Sequence, residues 1–168
     1  MIRAGGSIAL GAMALLFAVA PAHAVDPPAD SGLEIDDAAA FKAAGFKLVS
    51  GSWQACDDPG SASYVSGQIE QVADLNGDGA PEAVITESSA ACFGAAGMGY
   101  YLVSSDSAGK WRLVDSGEGI ATFLATRGKD NWPDLEVGGP GFCFPVLRWD
   151  GKAYQPNRRE YEGKPCSG

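Results

Sequence analysis

Short runs of β-branched and aromatic residues, separated by Gly, Pro, Asp or Ser, extend from Phe46 towards the C-terminus. Runs of about four to eight such residues, bounded by turn-forming residues, are typical of β-strands. Several neighbouring runs are separated by turns of only two to four residues, which favours antiparallel meanders. The candidate strands are 46–50, 68–73, 82–87, 99–105, 110–115, 120–125, 134–138, 143–149 and 152–155.

The strongest turn motif is Asp150-Gly151, because an Asp-Gly pair accepts the positive φ of a type I′ hairpin. Ser107-Ala108-Gly109 predicts a second hairpin. Nearer the N-terminus, two aspartates precede the alanine-rich segment 38–44 and Gly45 follows it. Acidic residues stabilise the positive end of a helix, and glycine is favoured just beyond its C-terminus. The predicted fold class is therefore mainly β (α+β), with antiparallel β-meanders and one short N-terminal helix.

Residues 1–24 have the organisation of a cleavable signal peptide. Arg3 precedes an apolar run over 8–20, and small residues stand at Ala22 and Ala24. A retained membrane anchor is the alternative, but the run is shorter than the ~20 residues that span a bilayer. We therefore expect cleavage after Ala24 and a periplasmic or secreted protein with no membrane anchor.

The chain beyond the predicted cleavage point is long enough for one domain, since about 150 residues bury most of their unfolded surface. Residues 25–32 contain two prolines and no apolar periodicity, so we expect them to be disordered. The rest, 33–168, is predicted to form a single β-rich domain.

All four cysteines lie beyond the predicted cleavage point. An even number of cysteines in an exported chain indicates two disulfides rather than free thiols. Four cysteines allow three pairings, and the order along the chain favours pairing within each half. The favoured pairs are Cys56 with Cys92 and Cys143 with Cys166.

The net charge is −9 at pH 7, which disfavours nucleic acid as a partner. The only histidine, His23, lies in the predicted signal peptide. A processed chain would have no histidine, which excludes a Ser-His-Asp triad and a histidine-ligated zinc site.

The segment 74–82, which we call the acidic loop, has oxygen-bearing side chains at alternate positions. Calcium takes six to eight oxygen ligands, and a tight loop with alternate residues turned inward supplies several of them. Ile85 stands where an EF-hand would need glutamate, so a helical calcium hand is excluded. The alternative is a turn stabilised by Asx hydrogen bonds without a metal. The predicted calcium ligands are Asp74, Asn76, Asp78, the Ala80 carbonyl and Glu82.

The acidic loop resembles the calcium loop of FG-GAP and VCBS repeats, in which Asp-x-Asn-x-Asp-Gly is followed by proline, an acidic residue and a buried strand. The resemblance implies the same five ligands and a structural calcium ion. A faint repeat aligns Pro81 with Pro133. The positions equivalent to the ligands in the second half are Thr126, Gly128, Asp130 and Asp134, a set that has lost ligands and is not expected to bind.

The whole chain also resembles a group of uncharacterised small exported proteins of Gram-negative bacteria. The resemblance rests on Asp-Leu-Asn-Gly-Asp-Gly, on the segment 132–145 and on Glu-Tyr-Glu-Gly-Lys-Pro-Cys near the C-terminus. It implies a periplasmic location and no particular activity.

Two glycine-rich segments contain aromatic residues beside a cysteine, and each is either a rigid recognition loop or part of the core. The residues predicted for a binding surface are Phe93, Tyr100, Phe142 and Phe144. These features favour a non-enzymatic binding module for a protein or small ligand. The alternatives are an inhibitor of cell-wall hydrolases, such as basic lysozymes, and a hydrolase that uses two carboxylates. The carboxylates available to such a hydrolase are Glu82, Glu87, Glu118, Asp134 and Glu136.

Overall fold

The computed structural model describes residues 33–58 and 60–167. The predicted signal peptide and the predicted disordered segment lie outside these residues. Within them the chain is mainly β, as predicted, with eleven strands in three antiparallel sheets and two short α-helices. The helices are α1 (Asp37–Ala43) and α2 (Ala90–Phe93); the strands are β1 (Lys47–Val49), β2 (Ser52–Gln54), β3 (Val65–Ala73), β4 (Glu82–Ser88), β5 (Met98–Ser105), β6 (Trp111–Glu118), β7 (Ile120–Arg127), β8 (Pro133–Gly138), β9 (Phe144–Trp149), β10 (Tyr154–Tyr161) and β11 (Lys164–Pro165).

The two larger sheets are built in the same way. The first sheet has the order β3-β4-β5-β6, and the second has the order β7-β8-β9-β10 with β11 added at its edge. Each is a meander in which consecutive strands pair, as short connections require. This common order agrees with the faint repeat in the sequence, because β4 begins beside Pro81 and β8 begins at Pro133.

The two sheets pack face to face. Strands β4 and β5 alternate their side chains, so that Val84, Tyr100 and Leu102 all point towards the second sheet. They meet an aromatic cluster in which the ring centroids of Trp132 and Trp149 lie 5.3 Å apart. Leu135 and Tyr154 complete this inter-sheet core.

The opposite face of the first sheet is covered by α1 and the β1-β2 hairpin. Asp36 begins α1 by accepting a hydrogen bond from the Ala39 amide at 3.0 Å. The helix buries Phe41, whose ring stacks on Trp53 with centroids 5.0 Å apart. The first sheet is thus covered on both faces.

No helix among the described residues is long and apolar enough to cross a membrane.

Two local predictions need correction. The sequence predicted one helix, but Ser89 begins a second by accepting hydrogen bonds from two amides of α2. The Asp150 hairpin is present with a four-residue loop, since Trp149 pairs with Tyr154. The type I′ prediction is wrong because the Asp150 carboxylate accepts hydrogen bonds from the Lys152 and Ala153 amides and closes a wider turn.

Candidate functional site

The acidic loop joins β3 to β4 and is closed by its own side chains. The Asp74 carboxylate accepts hydrogen bonds from the amides of Gly77 at 2.7 Å, Asp78 at 3.1 Å and Gly79 at 2.9 Å. Both glycines have positive φ, 80° and 88°, which permits the tight reversal. The loop is therefore an Asx-type turn in which amides surround one carboxylate.

Asn76 and Asp78 extend this network. The Asn76 side-chain oxygen accepts a hydrogen bond from the Asp78 amide at 2.8 Å, and Asp78 accepts one from the Ala80 amide at 2.8 Å. Asn76 is buried, whereas Asp74 and Asp78 are exposed. The predicted ligands thus lie on one turn, part of it open to solvent.

Glu82, the last predicted ligand, is the first residue of β4 and is only 1% exposed. Its carboxylate accepts hydrogen bonds from the Leu75 amide and the Ser104 hydroxyl, both at 2.8 Å. Burial raises the pKa of Glu82 despite these hydrogen bonds, and the negative charges of Asp78 and Asp74 raise it further. Within the described residues no lysine or arginine forms an ion pair with Glu82.

The second sheet has an equivalent carboxylate in different surroundings. Asp134 is the second residue of β8 and is 0% exposed. Its burial matches that of Glu82 at the start of β4. Glu82 pairs with Ser104 across the first sheet, and in the second sheet Asp134 precedes Leu135, whose partner Leu147 precedes Arg148. Arg148 donates two hydrogen bonds of 2.8 Å to Asp134, and Arg158 donates a third of 2.5 Å.

The electrostatic result is opposite in the two sheets. Burial alone would raise the pKa of Asp134, but the hydrogen bonds from Arg148, Thr126 and Arg158 hold it well below its usual range. Two guanidinium groups therefore neutralise the buried carboxylate of the second sheet. In the part of the chain that the structure describes, the buried carboxylate of the first sheet is compensated only by an amide and a hydroxyl.

The oxygens of the acidic loop fit a hard cation in their chemistry. A carboxylate oxygen has about two lone-pair directions. Apart from one Asp74 oxygen, each carboxylate oxygen of Asp74, Asp78 and Glu82 accepts a single hydrogen bond from the described residues. The side chains do not converge, however: among 33–58 and 60–167, no three His, Cys, Asp or Glu residues form a group that could hold a metal ion.

A contact between the two halves holds the acidic loop and was not predicted. Arg127 donates a hydrogen bond of 2.6 Å to the Leu75 carbonyl, and Asn131 donates one of 2.6 Å to the Asn76 carbonyl. Asp130 and Asn131 both have positive φ, 51° and 61°, which is uncommon for residues other than glycine. The sequence carried no pattern for this contact, because it joins residues more than 50 positions apart.

The four residues predicted for a binding surface differ in their exposure. Phe93 and Tyr100 are buried, so they belong to the core and cannot form an exposed surface. Phe142 is 71% exposed, and Phe144 is partly exposed. Tyr161, which was not predicted, is near both, with ring centroids 6.4 Å from that of Phe142 and 6.1 Å from that of Phe144. We call Phe142, Phe144 and Tyr161 the aromatic surface.

The segment below the aromatic surface is held by covalent and polar contacts. Cys143 pairs with Cys166. Arg159 also donates a hydrogen bond of 3.0 Å to the Cys143 carbonyl. The second disulfide joins Cys56 to Cys92, so the predicted pairing is confirmed. Two disulfides indicate an oxidising compartment.

The carboxylates suggested for a hydrolase occupy other roles. Glu87 is buried and accepts hydrogen bonds from the Cys56 amide at 3.0 Å and the Tyr64 hydroxyl at 2.9 Å, which fixes the segment beside the disulfide. Asp134 is bound by two arginines. Glu118 is exposed, and among the described residues neither it nor Glu136 lines the clefts beside the acidic loop, between the sheets or beside Cys166.

Replacing Asp115 with asparagine is expected to stabilise the protein at pH 7. Burial raises the pKa of Asp115, so its ionised form is disfavoured in the folded state. The favourable contribution of the protonated form is complete below the unfolded pKa and is lost as pH rises through the folded pKa. Asparagine removes the charge and keeps an acceptor for the Tyr100 hydroxyl, 2.7 Å away. Urea unfolding at pH 7 should show a gain of up to about 1 kcal/mol.

The matched control is Asp106→Asn. Hydrogen bonds from the Lys110 and Ala108 amides lower the pKa of Asp106, so its charged form is favoured on folding. This variant should therefore lose stability at pH 7. Equal changes in both variants would show that burial of the Asp115 charge has no effect.

The acidic loop lies at one end of the first sheet, and the aromatic surface lies at the far end of the second. They lie at opposite ends of the sheets, because Asn131, just before β8, contacts the acidic loop, and β9, which begins at Phe144, runs antiparallel to β8. No family model, no curated protein and no solved structure matches this chain.

Proposed function

We propose that this chain is an exported, non-enzymatic binding module in which the acidic loop holds a structural calcium ion. Export is supported by the organisation of residues 1–24 and by the two disulfides. A periplasmic location is the more specific form of the proposal. The calcium ligands would be Asp74, Asn76, Asp78, the Ala80 carbonyl and Glu82.

The observation that carries the calcium proposal is the contrast between the two buried carboxylates. A buried carboxylate is costly unless it is paired. The second sheet provides two arginines for Asp134, whereas Ser104 stands at the corresponding position opposite Glu82. A cation bound by the acidic loop would supply the missing positive charge. A shift of side chains is needed to bring the ligands together, and it would rearrange the amide hydrogen bonds of the exposed Asp74 and Asp78.

The aromatic surface is our proposed site for a protein partner. Exposed large aromatic residues held on a rigid backbone lose little conformational entropy on binding. The Cys143–Cys166 disulfide and the Arg159 hydrogen bond provide that rigidity. A non-enzymatic role is supported by the engagement of Glu87 and Asp134 in structural hydrogen bonds.

Calcium is expected to raise the melting temperature of the wild-type protein. An ion at a hundred times its dissociation constant adds about 2.7 kcal/mol to the free energy of unfolding. Asp78→Ala should remove this gain. Glu82→Gln should also remove it, and in chelator this variant should be more stable than wild type because a buried charge is gone. The measurement is thermal unfolding in calcium and in chelator.

Asp150→Ala is the matched control. Asp150 also closes a turn by accepting hydrogen bonds from two amides, but its turn has no further predicted ligands. This variant should lose some stability in both buffers and keep the full calcium response. Identical wild-type melting curves in calcium and chelator would contradict the calcium proposal.

A further inference from the structure

A cleft opens between the two sheets at the end away from the acidic loop. It has a volume of about 340 Å³, which is within the range of small-molecule sites. Gln71, Val84, Thr86 and Met98 line it from the first sheet, and Ile120 and Ala121 line it from the second. Glu70 stands at the rim.

The cleft exists because the apolar face of the first sheet changes character towards this end. Val84, Tyr100 and Leu102 fill the space between the sheets with apolar side chains. Thr86 lies two residues beyond Val84, hence on the same face, and is polar and only partly buried. The core is therefore not closed here, and Ile120 on the opposite wall remains 54% exposed.

The walls of the cleft are held at a fixed separation by Gly119. Its amide donates a hydrogen bond of 2.8 Å to the Met98 carbonyl. A Cβ atom at this position would lie 2.3 Å from the Gly138 carbonyl oxygen, so only glycine allows such close approach to the second sheet. Met98 and Ile120 are thereby positioned on the two sides without the help of a ligand.

The charge of the cleft is negative. Of the described residues that line it, Glu70 alone is ionisable. The Thr86 hydroxyl donates a hydrogen bond of 3.1 Å to a Glu70 carboxylate oxygen, which directs that group towards the cleft. An apolar floor with a single carboxylate at the rim is complementary to a cation that carries an apolar group.

We propose that this inter-sheet cleft binds a primary ammonium compound with an apolar body of about the size of a benzene ring. The apolar body would contact Val84, Met98 and Ala121, and the ammonium group would pair with Glu70 at the rim. The site is separate from the aromatic surface and does not require calcium.

Methyl and amide NMR titration tests the proposal with 2-phenylethylammonium and its neutral analogue 2-phenylethanol. Both should cause saturable shifts at Met98, Ile120 and Ala121, and the ammonium compound should bind roughly threefold more tightly, as expected for a partly exposed ion pair. Glu70→Gln should remove this preference and leave the alcohol affinity unchanged. Glu118→Gln, an exposed glutamate outside the cleft, should change neither affinity.

Ala121→Leu, which fills the cleft, should abolish saturable binding of both compounds. The titrations should give the same result in calcium and in chelator, so the test is independent of the acidic loop. Absence of saturable shifts, or shifts that persist in Ala121→Leu, would overturn the site. Equal affinities for the ammonium compound and the alcohol would overturn the assignment of its ligand class.

Discussion

Asp134→Asn is expected to lower the free energy of unfolding by about 2–4 kcal/mol. Removing one partner of a buried ion pair typically costs 3–5 kcal/mol, because the opposite charge remains uncompensated. We expect a loss somewhat below that typical range, because the side chains of Arg148 and Arg158 are 42% and 24% exposed. Water can partly solvate their charges after the change. Urea unfolding at pH 7 measures the loss.

Acidification should reduce the difference between wild type and Asp134→Asn. The pKa of Asp134 is lowered on folding, so its contribution is complete above the unfolded pKa and is lost as pH falls towards the folded pKa. A triple replacement of Asp134, Arg148 and Arg158 by leucine is the control. Well-packed apolar residues often replace a buried ion cluster without loss. A triple variant as unstable as Asp134→Asn would show that packing, rather than charge, limits this site.

Removing the Cys56–Cys92 disulfide by paired serine replacements is expected to cost about 4 kcal/mol. In the chain-entropy description, a disulfide stabilises the folded state by restricting the unfolded chain, and its effect grows slowly with the number of residues enclosed. This disulfide encloses a separation of 36 residues. Denaturant unfolding under non-reducing conditions, compared with wild type, gives the change directly.

The second disulfide provides the comparison. The Cys143–Cys166 separation is 23 residues, so its removal should cost slightly less, about 3.5 kcal/mol. The variant that lacks the Cys56–Cys92 disulfide should also release the segment held by Glu87. Faster hydrogen exchange of the amide at position 56, which is a serine in this variant, would detect the release. Protection there equal to that of wild type would show that the Glu87 hydrogen bonds alone hold the segment.

The strands were predictable because their sequences alternate or form compact apolar runs. Eight of the nine candidate strands differ from the observed ones by three residues or fewer at each end. The ninth, 152–155, was misplaced because β10 continues to Tyr161 through polar residues that show no apolar alternation. Such a strand is specified by its neighbours, since Arg158 and Glu160 pair with Val146 and Phe144.

The candidate site was predictable only where its residues are close in sequence. The acidic loop could be found because its oxygens recur within nine residues. The contacts of Arg127 and Asn131 with that loop, and of Arg148 and Arg158 with Asp134, depend on how the sheets pack. The exposure of the aromatic residues could not be predicted for the same reason. Tyr100 and Phe142 have similar sequence surroundings, and only tertiary packing buries the first and exposes the second.

Both disulfides join cysteines that follow one another in the chain, and neither links the two meanders. A chain that is oxidised progressively from its N-terminal end would therefore meet Cys92 as the first available partner of Cys56, before Cys143 and Cys166 emerge. Each native bond would form in the order in which its thiols appear. Such a chain would need no disulfide isomerase to correct its pairing, and the bond of the first half would be complete before the second half begins.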